Sequence, residues 1–224
     1  MKITAILGSP HGLRGATGTL LAEVVRGARQ AGADEVAVLS LTDHAVGPCV
    51  ACDACHKTGL CLRKDDFHVL KEAMVQADAI VLASPNYIVS VSAQMKALFD
   101  RCCGLLHCQV MRGKYAAAVE TSGGTGGQEV QQYILRFEQV LGCWTVGSVG
   151  AIAAELADPA QRTRAFDAAA GLGSALVDAV RQKRTFPEQL PQRDAFFGRM
   201  KHLVQFRKDD WPFEYQHWKS MDWL

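Results

Sequence analysis

Two hydrophobic rhythms alternate along this chain. Short, nearly uninterrupted apolar runs fall at residues 2–7 (KITAIL), 35–40 (EVAVLS), 79–83 (AIVLA), 115–120 (YAAAVE) and 143–150. Between and after them, apolar positions return every three or four residues. Leu20, Leu21, Val24, Val25 and Ala28, for example, form one stripe of a helix that begins near Thr17. Similar patterns predict helices over Phe67–Gln76, from about Ala93 to Leu106, over about Glu129–Leu141, and over 159–184. Five strands alternating with helices predict an α/β fold, a five-stranded parallel sheet with helices on both faces. The unbroken apolar character of 79–83 suits a central strand.

In such sheets ligands bind outside the carboxyl ends of the strands, where the strand order reverses. The loops after the first, third and fourth strands share a small, hydroxyl-bearing or glycine-rich character. In the first, Gly8 to Thr17, backbone N–H groups at a helix start stand beside the Ser9 and Thr17 hydroxyls, a combination that can hold a phosphate. It lacks the Gly-Lys-Ser/Thr of a nucleoside triphosphate loop, and its glycines at 12, 15 and 18 do not have dinucleotide spacing. The second, Ser84 to Ser92, places Pro85 and Tyr87 beside free backbone N–H groups. The third, Thr121 to Gly127, contains four glycines that allow close backbone approach. A phosphate site in the first loop and a planar heterocycle between the other two describe a mononucleotide site, and flavin mononucleotide (FMN) is the obvious candidate. His11, Tyr87 and Glu120 are the nearby acid–base groups.

Composition removes several classes of function. The 224 residues are 49% hydrophobic and 21% charged, an ordinary globular balance. Lys and Arg total 24 against 23 Asp and Glu, a formal net charge of +1, which gives no electrostatic case for nucleic acid. Neither a secretory h-region nor an apolar run long enough to span a membrane is present, so a soluble cytoplasmic protein is expected. In a reducing compartment, eight cysteines are more readily metal ligands or redox groups than disulfides.

Four of them, Cys49-x2-Cys52-x2-Cys55-x5-Cys61, lie within 13 residues in a loop spanning 46–63 after the second strand. Compact Cys-x2-Cys-x2-Cys runs wrap iron–sulfur clusters, whereas structural zinc draws on two separated knuckles. Four thiolates this close can still hold zinc. Asp65 or Asp66 can cap the helix that follows. Arg63 and Lys64 form a charged turn. Cys102, Cys103, His107 and Cys108 are expected in the core, as buried cysteines usually are. Residues 1–184 read as the domain and 185–224 as an extension carrying nine of the 17 aromatics, which must pack on the domain or on a neighbouring subunit.

The segments GSPHGLRGATGTLL, SPNYIVSVSAQMKALFDR and TSGG resemble the NADPH-dependent FMN reductase-like branch of the flavodoxin-like fold over roughly residues 1–150. The resemblance places Ser9, His11 and Thr17 at the phosphate, and sets Pro85, Asn86, Tyr87, Ile88, Val89 and Ser90 with Thr121, Ser122, Gly123 and Gly124 around the isoalloxazine ring. The chain departs from that pattern at His11, often Arg, at Ala16, often Asn, and at Val89, often Gly. With the cysteine loop and Asp65-Asp66 added, the sequence is similar to the iron–sulfur flavoproteins of anaerobic prokaryotes. That likeness implies FMN, a [4Fe–4S] cluster on Cys49, Cys52, Cys55 and Cys61, and a homodimer or homotetramer. Pairing FMN with such a cluster would make a relay between a one-electron donor of the ferredoxin type and a two-electron acceptor, with NAD(P)H as an alternative co-substrate. Two rival readings are a cluster-free NAD(P)H-dependent FMN or quinone reductase, and a non-enzymatic redox sensor holding zinc and flavin.

Overall fold

All 224 residues are described by a computed structural model. Its centre is one parallel sheet of β1 (Lys2–Leu7), β2 (Glu35–Ser40), β3 (Ala79–Pro85), β4 (Tyr115–Ser122) and β5 (Trp144–Ile152). The strands lie in the order β2-β1-β3-β4-β5. This is the flavodoxin-like order, whose switch point lies between β1 and β3. Every residue of β3 and β4 is buried, which explains their lack of polar alternation; β2, at an edge, is only half-buried.

The two-residue period of the strands divides the core. Ile6, Ile80 and Leu82 face one side, with Leu70, Met74, Met95 and Ile134 from α3 (Phe67–Gln76), α4 (Ala93–Arg101) and α6 (Gly127–Val140). Ile3, Ala5, Leu7, Val81 and Val119 face the other, with Leu20, Leu21, Val24 and Leu176 from α1 (Ala16–Gln30) and α7 (Pro159–Arg181). Helices α1 and α7 touch backbone to backbone. A Cβ on Gly27 would stand 2.0 Å from the Ala170 carbonyl oxygen, and one on Gly173 would stand 2.0 Å from that of Val24.

Two details depart from the sequence expectation. A short helix, α2 (Ala54–Thr58), forms inside the cysteine loop. The helix expected to run to Leu106 breaks at Cys102 into α4 and α5 (Cys103–His107). The extension folds as α8 (Leu190–Phe206) and α9 (Pro212–Ser220), with a small core of Phe196, Met200, Val204 and Trp218. It packs on its own chain: Trp218 Nε1 donates to the His107 carbonyl at 2.8 Å, and Arg193 stacks 3.8 Å over the Trp144 ring. No helix is long and apolar enough to cross a membrane.

Candidate functional site

The cleft at the β1/β3 switch point is built from three loops tied together by polar contacts. β1 delivers the chain into the first loop. Gly8 N–H donates to the Ala83 carbonyl at 2.7 Å, and the Ser92 hydroxyl donates to the Gly8 carbonyl at 2.6 Å. No side chain caps the N-terminus of α1 at Gly15, so its first-turn N–H groups remain open to an anion. The Thr17 and Thr121 hydroxyls pair at 2.6 Å and join the first loop to the third. Asn86 joins the second loop to the third twice, from its backbone N–H to the Thr121 carbonyl at 2.8 Å and from Nδ2 to the Thr125 carbonyl at 2.8 Å.

These loops enclose a cavity of about 180 Å³ lined by Ser9, His11, Thr17, Pro85, Asn86, Tyr87, Thr121, Ser122 and Gly123, with Ala16 and Ala153. A Cβ added to Gly123 or Gly124 would meet nothing within 4 Å, so the third loop leaves room beside the cavity. An uncapped helix end at one side and a slot between small-residue loops at the other fit a phosphate-bearing planar cofactor.

Four residues expected around the ring do not line this cavity: Ile88, Val89, Ser90 and Gly124. Tyr87 and Ser90 close a turn with reciprocal backbone hydrogen bonds of 2.9 and 3.2 Å, which points Ile88 and Val89 outward at 97% and 62% exposure. Glu120 also lies elsewhere. Its carboxyl sits under α6 against Gly127 and Gly150, with Oε1 unpartnered, and burial raises its pKa to about 7.

Between 46 and 63 the chain wraps a second cavity of about 240 Å³. Its walls carry Cys49, Cys52, Cys55 and Cys61, with His56, Arg101 and Cys103. Left-handed backbone at Ala51, Asp53 and Gly59 turns the loop back on itself. Arg101 anchors both ends of it, donating to the Gly47 carbonyl at 2.9 Å and to both Asp65 carboxylate oxygens at 2.8 and 3.0 Å. Asp65 is therefore more than the helix cap the sequence suggested: hydrogen bonds from Arg101 hold its pKa down to about 2, and the Phe67 N–H reaches it only at 3.3 Å. Asp66 accepts from the Ala45 N–H at 2.8 Å instead of capping α3.

The spacing of the four sulfurs bears on their occupant. One zinc ion with bonds of about 2.3 Å draws four thiolates to within roughly 4 Å of one another. The four sulfurs line one cavity, and the group of three donors drawn together in this chain is His56, Cys103 and His107 rather than the loop cysteines. A polynuclear cluster presents well-separated irons to its ligands and does not need that convergence. The residues fit a cluster.

Cys102 and Cys108 are buried as expected, and burial pushes both thiols up to about 12. Cys103 and His107 are not core filler. Cys103 borders the sulfur cavity, and His107 Nε2 lies 3.7 Å from its Sγ. Burial would raise the Cys103 thiol, but hydrogen bonds from His107 and His56 outweigh it and bring the pKa to about 6. The available signal was the i, i+4 spacing of Cys and His on one helix face.

Residues 1–157 match the family model of NADPH-dependent FMN reductase. An iron–sulfur flavoprotein of Archaeoglobus fulgidus is 29% identical over 231 residues, covering 100% of both chains. A second iron–sulfur flavoprotein of that organism is 38% identical over 155 residues, 66% of this chain and 78% of the relative. Among solved structures, a flavone reductase superposes with a TM-score of 0.65 at 17% identity, covering 81% of this chain and 63% of that one, a likeness of fold. The chain belongs to the NADPH-dependent FMN reductase family and, within it, to the iron–sulfur flavoproteins.

Proposed function

We propose that this flavin-dependent oxidoreductase holds FMN in the switch-point cleft and a [4Fe–4S] cluster on Cys49, Cys52, Cys55 and Cys61, and relays electrons between them. The observation that carries this reading is the cavity walled by all four loop cysteines, on the same edge of the sheet as the flavin cleft.

When bound, FMN supplies two-electron chemistry and the cluster one-electron chemistry. The chain's own residues bind and orient. Ser9, His11 and Thr17 with the open N–H groups of α1 hold the phosphate, while Pro85, Asn86 and Tyr87 face Thr121, Ser122 and Gly123 across the ring slot. Arg101, in its ion pair with Asp65, borders the sulfur cavity and holds its loop in place.

Around the cysteine loop, Lys57, Arg63 and Lys64 are exposed, as are Val50, Leu60 and Leu62. Apolar surface bounded by cations suits an acidic one-electron carrier of the ferredoxin type in the cytoplasm. The outward Ile88 and Val89 support a homodimer or homotetramer in which a neighbouring subunit covers them. NAD(P)H is the alternative donor.

Anaerobic reductive titration tests the pairing. Three electron equivalents per chain are expected, two for FMN and one for the cluster. An end point at two equivalents contradicts it.

A further inference from the structure

Cys103, His107 and His56 are distinct from the four loop cysteines, and their donor atoms converge as no others in the chain do. All three lie within 4.8 Å of one another. Cys103 and His107 stand one turn apart on α5, and His56 arrives from α2, so two separate segments meet at this point.

A third segment fixes the imidazoles. Glu214 of α9 is wholly buried, and its two carboxylate oxygens accept one ring each, Oε1 from His56 Nδ1 at 2.5 Å and Oε2 from His107 Nδ1 at 3.0 Å. A carboxylate bound to Nδ1–H sets the tautomer that leaves Nε2 as the free donor. Trp211 stacks on His56 at 4.4 Å and lies 5.1 Å from the His107 ring, while the two imidazoles stack on each other at 4.9 Å. With their orientation held from behind, both Nε2 atoms are directed to the side where the Cys103 sulfur stands.

We propose that His56 Nε2, Cys103 Sγ and His107 Nε2 form a second, mononuclear site for a divalent ion of borderline softness, Zn²⁺ or Fe²⁺, with Glu214 as the carboxylate that orients both rings. One thiolate and two imidazoles are a donor set these ions favour. The charges balance: a divalent cation offsets one thiolate and one buried carboxylate. Tetrahedral coordination separates nitrogen and sulfur ligands by roughly 3.5 Å, so modest side-chain rotation closes the 4.8 Å limit. Three protein ligands leave a fourth position for water or a small anion. Asp53 Oδ1 lies 4.0 Å from His56 Nε2, and the Cys55 thiol is a hydrogen-bond partner of the same imidazole. His217 Nε2 lies 2.9 Å from the Cys108 carbonyl, which ties α9 to the end of α5.

Acid-labile sulfide distinguishes this ion from the cluster, because only cluster iron is matched by sulfide. In holoprotein prepared without oxygen, one equivalent of zinc or iron beyond the sulfide-matched iron is expected. Cys103→Ser and His107→Gln should each lose that equivalent while cluster iron, sulfide and FMN stay at wild-type levels. Glu214→Gln should weaken retention against dipicolinate by about 10- to 100-fold. As a test that needs no variant to fold, wild-type protein stripped with dipicolinate should take up one equivalent of Co²⁺ and gain thiolate-to-cobalt absorption. The absence of any ion beyond the cluster, together with no stoichiometric Co²⁺ uptake, overturns the proposal. So does a Cys103→Ser variant that loses iron and sulfide together, which would make Cys103 a cluster residue.

Discussion

Arg101 grips Asp65 with two parallel hydrogen bonds, Nη1 to Oδ2 at 2.8 Å and Nη2 to Oδ1 at 3.0 Å, and the same guanidinium holds the Gly47 carbonyl. Gly47 precedes the first loop cysteine and Asp65 follows the last. One buried cation on α4 therefore clasps the neck of the sulfur loop.

Removing one partner of such a pair leaves an uncompensated buried charge and costs about 3–5 kcal/mol. Arg101→Met should lower the urea midpoint accordingly and speed iron loss to a chelator. The double variant Arg101→Met/Asp65→Asn should recover a large part of the stability. Equal midpoints for wild type and Arg101→Met would show that the clasp is not structural.

Glu120 makes stability depend on pH. Its carboxyl has an ordinary pKa near 4.5 when unfolded and is raised by burial to about 7 when folded. The folded chain thus binds the extra proton between these values, and stability falls as pH rises from 4.5 through 7, by up to about 3 kcal/mol. Glu120→Gln cannot ionise. It should be more stable than wild type at pH 8 and no more stable at pH 4.5, by urea midpoints at matched flavin content. A constant difference across that range would mean that Glu120 ionises freely.

The tip of the second flavin loop carries strain. Ile88 and Val89 have φ of +51° and +57°, left-handed values that β-branched residues rarely adopt, and their side chains are exposed. Replacing the pair by Asn-Gly, the favoured sequence for such a turn, should stabilise the isolated chain by about 1–3 kcal/mol. If a neighbouring subunit covers the tip, sedimentation should show weaker self-association in the same variant. Unchanged assembly would remove the tip from the interface.

Charge reversal at Lys57 and Lys64 tests the docking surface. Reduction by a ferredoxin should slow in the double variant, most clearly at low salt, because both side chains are exposed and screened interactions act on encounter. Reduction by dithionite, which needs no docking, should not change.

Much of the fold was legible because its signals are local. The apolar runs that became β1 to β5 are buried on both faces, and the small-residue loops at their carboxyl ends follow from that placement. The cysteine spacing was equally local. What escaped were relations between distant positions. Asp65 looked like a cap because its partner lies 36 residues away, and His56 gave no sign of Glu214, 158 residues on. Cys103 and His107 were assigned to the core on the burial habit of cysteine, although their one-turn spacing was visible. Ile88 and Val89 turn outward on left-handed backbone, which neither propensity nor pattern foretells at two β-branched residues.

The most direct test of the relay is the cofactor inventory of protein purified without oxygen. One FMN, with four irons and four sulfides in the cluster, is predicted per chain. Serine at any of Cys49, Cys52, Cys55 or Cys61 should deplete iron and sulfide while FMN remains. Protein that carries flavin but no sulfide, with zinc bound at the four loop cysteines, would contradict it.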